Sequence, residues 1–253
     1  MNSNDVLSQL VAMSRFLGLP EQDYVILGEG NTSARAGETS YWVKASGMKL
    51  HQIEPSGFLE LHFGPVLELL ERGEITDVAA AQALAAARAD PSARLRPSIE
   101  AAMHAVIFSL CDAHFIGHTH PSAVNAILCV EDYQDALTGR LFPDHIVFCG
   151  HTPAFVPYVE PGLPLARLVK QALQAYLDAH GEAPKVIYLQ NHGLIALGRT
   201  TAEVESITAM TVKACRILLG TAAFGGPRFL SQAETSRIHT HPSELYRRKQ
   251  AGM

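Results

Sequence analysis

The sequence predicts an α/β protein of three layers, in which a central sheet, largely antiparallel or mixed, is flanked by helices. Helical and strand-like segments alternate along the chain without the regular β-α-β order of a parallel sheet. Of the 253 residues, 47% are hydrophobic and 18% charged, which excludes disordered and collagen-like chains. No proline- or glycine-rich linker divides the chain, so we expect a single domain over residues 1–253.

Hydrophobic spacing and turn residues predict the individual elements. The first helix has an amphipathic pattern and ends at Gly18 and Pro20. An irregular polar tail is expected from about residue 229. Further helices are expected at residues 65–72, 76–88, 97–110, 122–129, 164–179 and 201–219. Strands are expected at residues 24–27, 32–35, 41–44, 115–118, 145–149, 185–190 and 193–197.

Charge and hydropathy exclude several classes of partner. The net charge is −5 and the one basic run covers residues 247–249, so no nucleic acid is expected. The apolar runs are shorter than the ~20 residues of a membrane span, so no membrane is expected. The first 20 residues do not resemble a signal peptide, and we expect a cytoplasmic protein. The four cysteines, which form no C-x-x-C pair, are expected to be reduced thiols: Cys111, Cys129, Cys149 and Cys215.

Three of the twelve histidines follow predicted strands. His118 and His120 are two positions apart, so their side chains share one face of a strand. His192 follows another strand, and Gly193 permits a tight turn after it. Each histidine alone is typical of a structural residue, but together they favour a metal site. Three imidazole nitrogens with an open or carboxylate position are typical of catalytic zinc.

The string His-Thr-His-Pro-Ser at residues 118–122 recurs at residues 239–243. The second copy follows a polar segment with no buried strand to hold both rings. We therefore expect it to be solvated and not to bind metal, and His239→Ala is expected to leave the metal content unchanged.

Glu100 is the nearest acid upstream of the histidine pair. Proline at position 97 predicts a helix start that places Ser98 and Glu100 in the first turn, where the backbone favours anions. The carboxylate could bind metal or act as a base. The spacing alone favours a glutamate that stabilises the helix dipole, and a structural Glu100–His104 pair.

Two turns rich in small residues are candidates for anion binding. Residues 28–31 read Gly-Glu-Gly-Asn and could form a nest of backbone N–H groups, although an ordinary hairpin turn has the same pattern. Residues 45–47 read Ala-Ser-Gly and follow Lys44, whose ammonium group could meet a negative charge.

Five short motifs then occur in one order: Gly-x-Gly-Asn-x-Ser at 28–33, Lys-x-Ser-Gly at 44–47, Pro-Ser-x-Glu at 97–100, His-x-His-Pro at 118–121 and Asn-His-Gly at 191–193. In this order they resemble the class II aldolase/adducin family over about residues 5–220. The resemblance implies that family's fold and a homotetramer. It also implies one divalent ion per subunit, with zinc expected first and manganese, cobalt or magnesium as alternatives.

The resemblance also implies roles for particular residues. The ion would be bound by His118, His120 and His192, and Glu100 would be catalytic and a possible fourth ligand. Tyr133 and Tyr246 are candidates for the partner acid. Substrate or phosphate binding is implied for Gly30, Asn31, Lys44, Ser46, Gly47 and Ser98.

The implied function is that of a metal-dependent aldolase, a carbon–carbon lyase acting on a ketose or ketose phosphate through a metal-stabilised enediolate. Epimerases, dehydratases and decarboxylases of the same family remain alternatives, as does an adducin-like interaction module without activity. Ile99 stands where fuculose-phosphate aldolases have a second phosphate-binding serine. Residues 99–104 together with residues 156–165 look more like aldolase domains joined to rhamnulose-phosphate metabolism.

Overall fold

The computed structural model describes residues 3–73 and 75–250, with the side chains of 245 and 248–250 left out. Its centre is one sheet of seven strands, in the order β3-β2-β1-β4-β7-β6-β5. The strands are β1 (Asn31–Arg35), β2 (Ser40–Lys44), β3 (Phe58–His62), β4 (Phe115–Thr119), β5 (Ala154–Val156), β6 (Val186–Leu189) and β7 (Gly193–Gly198). Neighbouring strands are antiparallel except β5 and β6, which are parallel. The expected mixed sheet is confirmed.

Helices cover both faces of this sheet, which confirms the three-layer arrangement. They are α1 (Ser3–Leu17), α2 (Phe63–Glu71), α3 (Asp77–Ala86), α4 (Ala101–Leu110), α5 (Ser122–Leu128), α6 (Tyr133–Thr138), α7 (Pro143–Cys149), α8 (Leu163–His180), α9 (Thr201–Thr221), α10 (Gln232–His239) and α11 (Pro242–Gln250). One apolar layer joins α2, α3, α4 and α8 to the sheet. The other layer joins α1, α5, α6, α7 and α9 to the opposite face.

The alternation of side chains along β4 determines the face of the sheet from which His118 projects. Phe115 packs in the layer of α1 and α9, whereas Ile116 packs in the layer of α4 and α8. His118 therefore points to the α4 side. It lies opposite Asn31 of β1 and Ile195 of β7. The start of β1, the end of β4 and the start of β7 thus meet at one end of the sheet.

Four segments within the sheet layers differ from the sequence prediction. Residues 145–149, expected as a strand, belong to α7, which Pro143 begins at its first turn and which packs on α9. Residues 24–27, also expected as a strand, form a turn in which Leu27 has a φ of 52°. The strands β3 and β5 were not predicted.

The C-terminal segment is helical, so the expectation of an irregular tail from about residue 229 is wrong. Ser231 and Glu234 form a capping box that begins α10, because each side chain bonds the other's backbone N–H. This helix packs on α7, and α11 follows it. His239 lies in the last turn of α10 and is half-buried.

Among the described residues, one segment, Thr201–Phe224, is long and apolar enough to cross a membrane by length and composition. It consists of α9 and the turn after it. Its apolar residues Val204, Ile207 and Val212 are buried against the sheet and the neighbouring helices, as in the core helix of a globular protein.

Candidate metal centre

Three imidazole rings converge at the end of the sheet. The Nε2 atom of His118 lies 3.0 Å from Nε2 of His120 and 3.3 Å from Nε2 of His192. The ring centroids are 4.7–4.9 Å apart and each pair of rings is steeply inclined. The structure thus brings together all three histidines that the strand ends predicted. It also places the carboxylate of Glu100 beside them.

The other nitrogen of two of these rings is already engaged. His118 Nδ1 donates to the carbonyl oxygen of Leu194 at 3.0 Å, and His120 Nδ1 lies 3.0 Å from Oε2 of Glu29. A proton on each Nδ1 leaves the lone pairs on the converging Nε2 atoms. Metal-binding histidines have this arrangement, in which a carbonyl or carboxylate holds the second nitrogen.

Burial favours the neutral, metal-binding form of His118 and His120. It lowers the pKa of His118 to about 4, against the opposing charge of Glu100. Burial also lowers the pKa of His120 to about 3, and the neighbouring His118 and His192 add to the effect. Because a ligating imidazole must be unprotonated, the site is prepared for an ion at neutral pH.

The spacing fits a tetrahedral ion. Nitrogens bound to one zinc at ~2.0–2.1 Å lie about 3.3 Å from each other at tetrahedral angles. The observed separations of 3.0 and 3.3 Å are close to this value. The lone pairs of His118 and His120 and the Glu100 carboxylate converge at this short range, which favours a cation between them. The residues present therefore fit a divalent ion.

A tight turn between β6 and β7 holds His192. Asn191 has a φ of 53°, and the N–H of His192 bonds to the carbonyl of Leu189 at 3.2 Å. Asn125 Nδ2 donates to the carbonyl of His192 at 2.9 Å. A Cβ at Gly193 would lie 2.5 Å from the carbonyl oxygen of Thr119 and 2.7 Å from the His120 ring. Only glycine therefore fits between the Thr119 carbonyl and the His120 ring.

Glu100 lies just before α4 and not in its first turn, since this helix begins at Ala101. Its carboxylate does not cap the helix. Oε1 is 3.2 Å from Nε2 of His192, and Oε2 is 3.5 Å from Nε2 of His118. Burial alone would raise the pKa of Glu100, but His118, His192 and a hydrogen bond from Asn31 hold this pKa well below its usual range. An ionised carboxylate thus faces the imidazoles.

A chain of buried hydrogen bonds orients this carboxylate. Asn31 Nδ2 donates to Oε2 of Glu100 at 2.6 Å. His104 Nε2 donates to the Asn31 side-chain oxygen, and His104 Nδ1 accepts from the hydroxyl of Ser33 at 2.6 Å. Burial lowers the pKa of His104 to about 4, which keeps the neutral tautomer that this chain requires. His104 acts on Glu100 through Asn31 and not as the direct helical pair that the spacing favoured.

The two small-residue turns and the segment before α4 lie side by side above Glu100. Ser46 N–H bonds to the carbonyl of Arg96 at 2.9 Å. Lys44 Nζ donates to the carbonyls of Gly28 and Met48 at 3.1 and 2.6 Å. It thereby joins the two turns. Burial lowers the pKa of Lys44 to about 8, against the charge of Glu100.

The other residues expected to bind substrate occupy the same turns. Gly30 and Gly47 have φ values of 67° and 79°, which L side chains rarely adopt. Ser46 and Gly47 are exposed. The Ser98 hydroxyl oxygen accepts from the N–H of Glu100 at 3.2 Å. All six predicted binding residues therefore lie in neighbouring segments at this end of the sheet, and the solvent-exposed surface around Ser46 and Gly47 is termed the opening.

The structure does not bring either candidate tyrosine to the imidazoles within this chain. Tyr133 is 4% exposed and packs against Phe155 in the apolar layer on the opposite face of the sheet. Tyr246 lies on α11 and is 64% exposed. The acid role of these tyrosines has no support from their positions in the described chain.

Three contributors to the site were missed by the sequence analysis: Glu29, Asn125 and the Ser33–His104 pair. Glu29 lies inside the Gly-x-Gly turn, and its position there was the one available signal. Ser33 and His104, which bond to each other, are 71 positions apart in the sequence. Asn125 and His192 are 67 positions apart. Such contacts depend on the pairing of strands and helices, which local sequence patterns do not report.

Comparison with known proteins places the chain in a family. Residues 8–219 match the model of the class II aldolase and adducin N-terminal domain, and this span contains the imidazole cluster and Glu100. The chain belongs to the class II aldolase and adducin family. The match covers most of the sheet and the helices α4, α8 and α9, so the resemblance inferred from five short motifs is confirmed.

Individual relatives are more distant. An uncharacterized oxidoreductase, YuxG of Bacillus subtilis (strain 168), is 25% identical over 244 residues, 91% of this chain, but the chain spans only 33% of that protein. YgbL of Klebsiella pneumoniae, described as a putative aldolase/epimerase/decarboxylase, has a TM-score of 0.70 at 18% identity, with 94% of this chain and 99% of that chain covered. A structure of L-fuculose 1-phosphate aldolase has a TM-score of 0.69 at 18% identity, with coverages of 94% and 96%. These structures share the fold of this class II aldolase family member.

Proposed function

We propose that this protein is a divalent-metal-dependent aldolase, a carbon–carbon lyase that cleaves or forms a ketose or ketose phosphate. The observation that carries the proposal is the convergence of three imidazole rings on the Glu100 carboxylate. His118, His120 and His192 would hold one ion per subunit, with zinc favoured by the three nitrogen donors. A bound divalent ion supplies Lewis acidity, which polarises a carbonyl and lowers the energy of charge on its oxygen.

Glu100 is the group that moves the proton. In the cleavage direction, a base takes the hydroxyl proton from the carbon that becomes the aldehyde. The carbon–carbon bond then breaks, and its electron pair forms the enediolate of the other fragment. An ionised carboxylate can accept the proton. Asn31 fixes Oε2 of Glu100, and Oε1 lies 3.2 Å from Nε2 of His192 on the side of the imidazoles. Once protonated, Glu100 can return the proton to the enediolate carbon.

The opening above Glu100 suits a small polar substrate. Backbone N–H groups of Gly28 and Gly47 can bind an anionic or hydroxyl group there, whereas the N–H of Ser46 is already bonded to the carbonyl of Arg96. Lys44 adds positive charge nearby. Ile99, by contrast, is 57% exposed between Ser98 and Glu100 and offers no hydroxyl. We infer that an uncharged sugar or a weakly held phosphate fits this opening better than a tightly bound phosphate.

Ile99→Ser is expected to raise kcat/KM for a ketose phosphate relative to the matching free ketose. The added hydroxyl supplies one hydrogen bond to a charged group, worth about 1.5–3 kcal/mol or roughly 10–150-fold. Ile99→Ala is the matched control, because it removes the same apolar bulk without adding a donor. An equal change in both variants would show that bulk, and not a missing hydroxyl, sets the preference.

The reaction type is tested by a product assay. The metal-loaded protein is incubated with a panel of ketose phosphates and free ketoses, and both fragments are identified by mass spectrometry. Release of an aldehyde together with a three-carbon ketone or hydroxyaldehyde is expected. An epimer, a loss of water or a release of carbon dioxide would instead identify one of the alternative reactions. No turnover of any panel member by protein with full metal occupancy would favour an adducin-like interaction module.

A homotetramer and a cytoplasmic location complete the proposal. The homotetramer is implied by the resemblance alone, whereas the cytoplasmic location rests on the charge and hydropathy of the chain. The tetramer is consistent with a site whose candidate acid is not supplied by the described residues of one chain, since a neighbouring subunit could provide it.

A further inference from the structure

A second cluster of metal-binding side chains lies away from the candidate active site. His151 Nδ1 is 3.4 Å from Oε1 of Glu182, and His239 Nε2 is 3.9 Å from the same oxygen. The rings of His151 and His239 have centroids 5.1 Å apart. One donor atom from each residue lies within 4.8 Å of the others. We propose that His151, Glu182 and His239 form a second site for a divalent transition-metal ion such as Zn²⁺.

The three ligands come from segments far apart in the sequence. His151 follows α7, Glu182 follows the end of α8, and His239 is the last residue of α10. His239 is also the first histidine of the second His-Thr-His-Pro-Ser string. The expectation of a solvated string holds for residues 240–243, which are exposed, but α10 carries His239 into a half-buried position. The proposal replaces the expectation that His239→Ala leaves the metal content unchanged.

Buried contacts fix the backbone that presents these side chains. Arg140 is 2% exposed, and its Nε donates to the carbonyl of Gly150, next to His151, at 2.8 Å. The carbonyl of Arg140 accepts from the N–H of Leu230 at 2.8 Å, just before α10. Tyr176 OH donates to the carbonyl of Thr152 at 3.0 Å. The turn after α7 and the start of α10 are therefore held to one another independently of any ion.

The donor set selects the type of ion. Two imidazoles and one carboxylate are ligands for zinc and similar borderline metals, with water in the remaining position. Magnesium and calcium prefer oxygen ligands throughout and would bind poorly. The three residues line a cleft of about 170 Å³, so an ion and its water have room. Because Glu182 is exposed, its side chain can move the short distance that closes the ligand set.

This site is separate from the imidazole cluster described above. Glu182 precedes the start of β6 and His192 follows its end. His151 likewise precedes β5, which runs parallel to β6. The two clusters thus lie at opposite ends of the sheet. An ion at the second cluster would join α10 to the turns after α7 and α8, so its effect is on the attachment of that helix and not on the reaction.

The test is a zinc titration of the chelator-treated full-length protein, followed by calorimetry and by metal analysis after desalting. Wild type is expected to bind two equivalents of Zn²⁺, and His239→Ala and Glu182→Ala one each. His241→Ala is the matched control from the same string and is expected to keep two. In a second measurement, Zn²⁺ is expected to slow amide exchange in residues 232–239 of wild type but not of His239→Ala. Mg²⁺ should do neither.

Each outcome decides for or against the second site. Two equivalents in both His239→Ala and Glu182→Ala, or one equivalent in wild type that His239→Ala retains, would overturn it. The result is independent of the proposed function, because His192→Ala removes the other equivalent. Loss of zinc in His239→Ala but not in His192→Ala would support the second site and contradict the candidate active site. Circular dichroism of each variant establishes that it is folded before the counts are compared.

Discussion

Glu100→Gln is expected to lower turnover by about 10²–10⁴-fold, the usual contribution of a positioned acid–base group. Glutamine keeps the size of the side chain and can still accept a hydrogen bond from Asn31, but it cannot take up the proton. The three imidazoles remain, so the ion at this site should stay bound. The measurement is steady-state turnover on whichever substrate the product assay reveals, with the metal content of the same sample.

Glu68→Gln is the matched control, because Glu68 is exposed on α2 and is not one of the site residues. It is expected to turn over like wild type. If Glu100→Gln did so too, with normal metal content, Glu100 would have no part in proton transfer. A fall in turnover accompanied by loss of metal would instead make Glu100 chiefly a ligand.

His192→Ala is expected to abolish binding of the active-site ion at ordinary concentrations and, with it, turnover. Removing a partner of a metal ligand typically costs 10–100-fold in affinity, and removing the ligand itself should cost more than about 100-fold. The two remaining Nε2 atoms, His118 and His120, make an incomplete set. Zinc affinity is measured by competition with a chelator of known strength.

His114→Ala serves as the control for this second prediction. His114 lies just before β4, and its half-exposed side chain is 4.0 Å from Asp112 at the protein surface. Its loss should change neither affinity nor turnover. Undiminished zinc affinity in His192→Ala would remove His192 from the ligand set and require a different third donor.

The sequence predicted the strands that carry the site better than it predicted the other elements. β4 and β7 are apolar segments bounded by clear turn residues, and their pattern agrees with their structure. Residues 145–149, rich in β-branched and aromatic side chains, also looked like a strand. A short apolar run can form either a strand or a helix. Here Pro143 at the first turn and the packing of α7 on α9 stabilise a helix.

Local sequence spacing predicted the histidines of the candidate site but not the residues that hold them in place. The period of two placed His118 and His120 on one face, and the turn at Gly193 indicated where His192 points. The roles of Glu29 and His104 depend on contacts between distant segments, such as the pairing of Asn31 with His118. No local pattern contains that register. Local patterns likewise could not predict the neighbours of His239. His151 and Glu182 lie beside it only in the folded chain.

The order in which the chain folds follows from where the three imidazoles come from. The turn that holds His192 joins two adjacent strands, β6 and β7, so it can form early. His118 meets His192 only when β4 pairs with β7, and these histidines are 74 positions apart. Closing so long a loop comes late and is costly in entropy. The imidazole cluster is therefore absent from the unfolded chain, and an ion bound there would stabilise the completed native state and would not nucleate it.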